Sequence, residues 1–472
     1  MVSGSFQRGA RVATVGVLLA LTLGGCASVY NQPLNAPTAN PVGGLIRPAG
    51  AAEAAIPARS VSGDTVIGLA FSGGGTRAAA FAYGVLERMG KYQTRRQGPL
   101  LDQVGLVSGV SGGAIMAAYY GLKGPASLRD FRARYLTQDL MAQLDTSFSL
   151  GNISRALGGG VNTDNKLRDW FNANLFHDAT FGDLGGRRPV TLINATDIYS
   201  RTPFLFSPPT FAAACSDITQ YPLAAAVAAS AAVPGAFAPV VIETYPDRCR
   251  TPLPAWVTAA AANPNASPQL QAYARAMTDI RSGRVKYVKL FDGGLIDNYG
   301  LSGITIMRAG QSTPYGPLRP DEAINLRRMM FLVVDAGQGP KGDWSTTLEG
   351  PSGKELVGAV VDVLVDSNAR ASYTAFEETM KAWRESIVKW RCGLNAGEAA
   401  RLRGKSGSWN CRDLKFTIAR ISFDQLGPER AKVLNAVPTS FTLPAESIDT
   451  LTQAGGDALD GNAAFQAFLR DM

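Results

Sequence analysis

Gly105-Leu106-Val107-Ser108-Gly109-Val110-Ser111-Gly112-Gly113-Ala114 decides how this chain is read. An apolar run ends in Gly-Val-Ser-Gly-Gly. A helix-forming run, Ala114-Ile115-Met116-Ala117-Ala118-Tyr119-Tyr120, follows at once. Strand, sharp turn with a serine at its tip, then helix is the layout of a nucleophile elbow. Gly109 and Gly113 flank Ser111 at the positions where side chains clash in such a turn. Ser111 is therefore expected to stand exposed at the carboxyl edge of a sheet. The N–H of Gly112 then lies at a helix N-terminus, where orphan donors and the macrodipole favour an oxyanion.

Upstream, Thr65-Val66-Ile67-Gly68-Leu69-Ala70-Phe71 reads as a buried strand and Ser72-Gly73-Gly74-Gly75 as a loop. Residues 76–89 read as a helix with Phe81, Val85, Leu86 and Met89 on one face. Strand, helix, strand, helix predicts an α/β fold with a mostly parallel sheet covered by helices. A glycine-rich loop entering a helix presents several N–H groups to an anion. The loop also matches Gly-x-Gly-x-x-Ala, a dinucleotide pattern, but the next strand lacks the acidic residue that would hold a ribose. The Gly-Lys-Ser/Thr of a phosphate loop is absent as well. An oxyanion hole for Ser111, built from Gly73, Gly74, Gly75 and Gly112, uses all the features present. Arg77, one turn into the helix, has three readings: it fixes the loop, meets an anionic head group, or is helix-surface charge.

A serine hydroxyl is a poor nucleophile without a base. The chain's single histidine, His177, sits in Asn174-Leu175-Phe176-His177-Asp178-Ala179, with no strand edge nearby. A carboxylate does the same work when burial raises its pKa. Asp292 follows the apolar run Tyr287-Val288-Lys289-Leu290-Phe291, and Gly293 and Gly294 leave room around it. It shares the carboxyl edge with Ser111 if the two strands are parallel. Taken alone, Asp292-Gly293 reads as a tight turn.

A length of 472 residues allows a large core or more than one domain, and 46% hydrophobic with 18% charged residues fits a globular enzyme. The net charge of +8 is spread thinly, with no block denser than Arg95-Arg96 or Arg187-Arg188, so nucleic-acid binding is not indicated. At the N-terminus Arg8 and Arg11 precede an apolar run over residues 12–23, then Leu23-Gly24-Gly25-Cys26-Ala27. That is a secretory signal, too short for a comfortable span. Its ending resembles the bacterial lipobox, which implies cleavage before Cys26 and a diacylglycerol on its sulfur. Ala27 in place of Asp implies the outer membrane. Residues 1–25 are thus read as a lipoprotein signal peptide and 26–60 as a flexible tether. Four cysteines remain. In an oxidising compartment proximity favours Cys215 with Cys249 and Cys392 with Cys411. With no Cys-x-x-Cys and one histidine, no metal or cofactor is expected.

Further strands are expected over residues 189–195, 203–206, 285–291 and 329–334, and a helix over 222–229. Residues 251–283 look like an insertion, with Ser267 as a helix N-cap, and are the candidate for a lid. Residues 354–391 read as one long helix or two in series. Tyr373, Phe376, Met380, Trp383 and Ile387 form a stripe of the kind that packs into a core. A late strand is expected over residues 414–421.

Four segments in order resemble the patatin-like phospholipase family, whose pattern is Gly-Gly-Gly-x-Arg, Gly-x-Ser-x-Gly, Ala-Ser-x-x-x-Pro and Asp-Gly-Gly. They are Gly73-Gly74-Gly75-Thr76-Arg77, Gly109 to Gly113, Ala229-Ser230-Ala231-Ala232-Val233-Pro234 and Asp292-Gly293-Gly294. The resemblance covers residues 65–337. It implies a three-layer fold over residues 61–340; residues 341–472 read by themselves as a C-terminal helical region with a late strand. It also implies a Ser111–Asp292 dyad, with the glycine loop as oxyanion hole. The activity implied is that of a phospholipase A-type lipid acyl hydrolase, anchored through Cys26 in a bacterial cell envelope. Two other functions stand beside it, an esterase or lipase on neutral or soluble esters and a lipid-binding scaffold with an idle site. Family members often carry Pro where this chain has Tyr299 after Asn298, and the segment beyond Pro340 lies outside the resemblance.

Overall fold

In the computed structural model of the chain, residues 31–41, 63–94, 98–144, 164–185, 189–339 and 344–472 are described. The signal segment, Cys26, Arg95-Arg96, Gly158-Gly159-Gly160 and Arg187-Arg188 lie outside them.

Strands β1 (Thr65–Phe71), β2 (Val104–Val110) and β3 (Val190–Asp197) are buried at every residue. Continuous apolar runs of this kind mark strands covered on both faces. They belong to a sheet with β4 (Thr202–Leu205), β5 (Val240–Glu243), β6 (Tyr287–Asp292), β7 (Arg328–Asp335) and β8 (Lys415–Ser422). The order is β8-β7-β1-β2-β3-β6-β5, with β4 also paired to β3. Pairs β8–β7, β7–β1, β1–β2 and β2–β3 are parallel; β3–β4, β3–β6 and β6–β5 are antiparallel.

Alternation along the strands divides the core in two. Ile67, Leu69, Phe71, Val107, Ile193 and Leu332 point to one side, against α1 (Gly75–Met89), α2 (Gly112–Lys123), α3 (Leu223–Ser230) and, further along the chain, Ala445–Gly461. Val66, Leu106, Leu192, Met329, Phe331 and Val333 point to the other. There they meet α4 (Ser302–Ala309) and α5 (Gly353–Gly393), one unbroken helix about 60 Å long at 1.5 Å per residue. The α5 stripe is core. Phe376, Met380, Trp383 and Ile387 are buried, with Phe376 edge-on to Phe331 at 5.1 Å between centroids. Each such side chain contributes about 1.5–3 kcal/mol by burial.

The region beyond Pro340 is built into this framework. β8 pairs with β7 along all of its residues, Lys415 to Ser422. Helix α6 (Ala445–Gly461) crosses α1 so closely that a Cβ on Gly84 would lie 1.9 Å from the Thr452 carbonyl. Two disulfides join Cys215 to Cys249 and Cys392 to Cys411, the pairing favoured by proximity.

Two expectations change here. Residues 31–41, inside the stretch read as a flexible tether, are pinned to the β5 edge. Asn35 exchanges two hydrogen bonds with the Glu243 backbone, and Asn31 donates to the carbonyls of Ala238 and Pro239. Asparagine side chains here satisfy an otherwise open strand edge. Second, β6 is not parallel to β2. It pairs antiparallel with Ala195, Thr196 and Asp197, the part of β3 that runs past the end of β2. β4 occupies the opposite edge of β3 at the same residues. β2 and β6 therefore lie end to end on one edge of β3, running toward each other.

Candidate active site

Ser111 follows the last residue of β2 and precedes α2, with φ 52° and ψ −124°. A non-glycine residue in that region carries strain of about 1–3 kcal/mol and persists only where its surroundings impose it. The surroundings are tight. A Cβ on Gly109 would lie 2.6 Å from the Gly113 carbonyl, and one on Gly113 2.4 Å from the Phe71 carbonyl. The crowding expected from the sequence is present, and it involves the end of β1 as well as the elbow itself.

A chain of buried hydrogen bonds holds the turn. The Ser111 N–H donates to Ser230 Oγ at 2.9 Å, and that hydroxyl donates to the Asn194 carbonyl at 2.6 Å. Asn194 Nδ2 donates to Ser108 Oγ at 2.9 Å and to the Gly109 carbonyl at 3.0 Å. Ser108 in turn donates to the Gly300 carbonyl at 2.6 Å. Sequence alone gives no role to Asn194 or Ser108, while Ser230 stands within Ala-Ser-x-x-x-Pro, the one signal in the sequence that could have pointed to it.

Asp292 ends β6 opposite Ala195, one residue past the Asn194 that faces Val110. Its backbone is fixed from two sides, the N–H donating to the Ala232 carbonyl and the carbonyl accepting from Thr196 Oγ1, both at 2.9 Å. Its Oδ1 accepts the Gly294 N–H at 2.8 Å, so the tight turn expected at Asp292-Gly293 is formed. The carboxyl is pushed up to about 6 by burial, opposed by hydrogen bonds from the Ser111 hydroxyl and the Gly294 N–H. Gly293 passes against the Asn194 carbonyl, where a Cβ would come within 2.5 Å.

The glycine loop lies beside Ser111, with one correction. The Gly73 N–H donates to the Asn298 carbonyl at 3.0 Å and is committed there, so Gly73 is removed as an oxyanion donor. Gly74 lies at φ 136° and Gly75 begins α1, as Gly112 begins α2. First-turn N–H groups have no partner within their helix. The Gly112 backbone packs directly on that of Gly75. The loop and the elbow thus form one surface.

Arg77 is 3% exposed, which overturns the surface-charge reading. It donates to the carbonyls of Ala336 and Val437 and to Thr439 Oγ1 at 2.9–3.0 Å, and burial lowers it to about 10. It fixes the loop. Tyr299, at the position where family members often carry Pro, donates to Asp335 Oδ2 at 2.9 Å, which also accepts from Arg420 at 3.2 Å.

These residues open on a cleft of about 790 Å³ lined by Gly73, Gly74, Ser111, Val233, Pro234, Asp292 and Leu295. Ser111 is 5% exposed, so it lies at the cleft floor rather than standing clear of the sheet. α5 supplies the facing wall through Glu355, Gly358, Ala359, Asp362 and Asp366. The insertion over residues 251–283 does not line the cleft, which removes it as the lid. Its helices, Ala255–Ala262 and Pro268–Arg281, pack on each other with Trp256 stacked on Tyr273, and Ser267 caps the second. His177 is exposed, contacts Arg134 at 3.3 Å and does not line the cleft.

Residues 69–303 match the family model described as Patatin-like phospholipase. No curated protein matches the chain. Among solved structures, human GIVD cytosolic phospholipase A2 superposes with a TM-score of 0.39 at 12% identity. That match covers 86% of this chain and 59% of the human one, so the chain spans less than two thirds of that structure.

Proposed function

Since residues 69–303 make this chain a member of the patatin-like phospholipase family, we propose that it hydrolyses carboxylic esters of glycerophospholipids through a Ser111–Asp292 dyad. The observation that carries this reading is that Ser111, directly after β2, and the buried Asp292, ending β6, line one cleft where the two strands come head to head on β3, with the carboxyl raised to about 6. Such a carboxylate is ionised at neutral pH yet basic enough to take a proton in the transition state.

Ser111 Oγ attacks the ester carbonyl as its proton passes to Asp292. The N–H groups of Gly74, Gly75 and Gly112 stabilise the oxyanion at two helix N-termini. Collapse breaks the bond to the alcohol, which leaves with the proton held by Asp292. Water then attacks the acyl-enzyme, giving its proton to Asp292, and the fatty acid departs as Ser111 is regenerated. The lipobox-like Leu23-Gly24-Gly25-Cys26 supports anchoring through an acylated Cys26 at a bacterial outer membrane.

The test compares wild type with Ser111→Ala and Asp292→Asn on phosphatidylcholine vesicles and on a soluble short-chain ester. Loss of fatty-acid release in both variants is expected. Turnover by Ser111→Ala equal to wild type overturns the mechanism, and turnover of the soluble ester alone makes the protein an esterase. Palmitate labelling that survives Cys26→Ser overturns the anchor.

A further inference from the structure

The first turns of α5 carry two stripes with different surroundings. Gly358, Ala359 and Asp362 face the Ser111 cleft. Leu356, Val360 and Leu364, four residues apart along the helix, do not line it and are 50%, 52% and 55% exposed. Nearby in sequence, Leu348 is 99% exposed, and Val233 on the cleft wall is 41% exposed. Large apolar side chains scattered singly over a surface need no explanation. A row of them beside a cleft mouth marks an interaction site.

The row points to a lipid surface. Three leucine and valine side chains over about 12 Å of helix fit an interfacial helix lying in the membrane plane, which buries its apolar face at the boundary of head groups and acyl chains. A second observation places the bilayer on the same side. Asn31 is hydrogen-bonded to the carbonyls of Ala238 and Pro239, in the loop that also carries Val233 and Pro234. Five Cα-to-Cα steps run from Cys26 to Asn31, a reach of at most about 18 Å. An acylated Cys26 therefore keeps the membrane within that distance of Asn31, beside the loop that walls the cleft. The stripe itself carries no charged side chain, which suits docking by apolar burial on a zwitterionic surface.

We propose that Leu356, Val360 and Leu364 form a lipid-docking surface that seats the cleft mouth on a zwitterionic bilayer, so that an ester enters from the membrane without crossing water. This rests on the lipid-hydrolase reading and on acylation of Cys26, and its test reads binding without turnover or anchor. The full chain carrying Cys26→Ser and Ser111→Ala is sedimented with phosphatidylcholine vesicles, with and without Leu356→Ser, Val360→Ser and Leu364→Ser together. Vesicle partition is expected to fall at least tenfold, with an unchanged melting temperature. In the chain that keeps Ser111, hydrolysis of a soluble ester should stay within twofold. Unchanged partition overturns the proposal. So does a fall in melting temperature or in soluble-ester hydrolysis that matches the loss of binding. A dimer that the three substitutions dissolve, with vesicle binding intact, assigns the stripe to a second copy instead. Vesicle binding through the stripe in a chain that hydrolyses no ester leaves the docking surface standing and overturns the function.

Discussion

Asp292 approaches Ser111 from the opposite direction, because Asp292 ends β6 and Ser111 directly follows β2, two strands that run head to head along one edge of β3. Val110 faces Asn194 and Asp292 faces Ala195, so one step of β3 separates the levels at which the two strands end. Consecutive residues of a third strand thus set the spacing between the two positions. Neither side chain depends on a flexible loop for its position.

The Asp292 carboxyl gives a paired prediction for activity and stability. In the proposed mechanism its ionised form is the base, so kcat/KM should fall as pH drops below about 6, approaching tenfold per unit. The folded protein holds this proton up to about pH 6, whereas the unfolded chain releases it near 3.8. The group therefore lowers stability as pH rises between those values and keeps it lowered above them. Asp292→Asn should abolish turnover and raise stability at pH 8 by up to about 3 kcal/mol, a gain that vanishes by pH 3. Urea melts at the two pH values measure it.

Ser230→Ala removes the hydroxyl that joins the Ser111 N–H to the Asn194 carbonyl. Both groups are buried, and each loses its partner at a cost of about 1–3 kcal/mol. The elbow is also released from part of what imposes its positive φ. We expect kcat to fall by about tenfold to a hundredfold, as displaced nucleophiles do, with KM little changed. Steady-state kinetics on a soluble ester checks the split; a rise in KM at constant kcat would contradict it.

Arg77→Met removes the donors to Ala336, Val437 and Thr439 that tie α1 to the loops after β7 and before α6. The loss should be about 1–3 kcal/mol, because the buried Ala336 carbonyl is left without its partner while the Val437 carbonyl keeps Gln338 Nε2. Arg77→Lys cannot reproduce the fork of donors and should recover less than half of it. Chemical denaturation of the three proteins gives the comparison.

Reduction of the disulfides should lower stability by about 3 kcal/mol for each bond, since they close loops of 34 and 19 residues. Cys215→Ser and Cys392→Ser should each show part of the loss produced by dithiothreitol. A melt unaffected by reduction would show that the bonds do not form.

The elbow and the glycine loop were legible because both are local. Their glycines, their serine and the helices that follow are contiguous, and the conformations they require exclude most other residue types. The same holds for the strands β1 and β7, whose apolar runs fit burial on both faces. The hydrogen-bonding roles of Asn194, Ser108 and Ser230 were not legible, since their partners lie 36 to 192 positions away. Gly73 shows the same limit. The sequence counts it among the loop donors, and its N–H is taken by Asn298.

By itself the sequence determined the nucleophile candidate, its candidate base, the central strands and the favoured cysteine pairs. These follow from residue type, short-range pattern and spacing. Tertiary structure alone decided that β6 runs against β2, that α5 walls the cleft and that Arg77 is a buried clamp. Strand direction depends on which edge of β3 is open beyond the end of β2, and β4 had already taken the other. On α5 the sequence marks the stripe from Tyr373 to Ile387, whereas Leu356, Val360 and Leu364 lie on the opposite face of the helix and only the structure shows them exposed. Phe376 to Ile387 meets the sheet, while Leu356 to Leu364 extends past it and stays exposed.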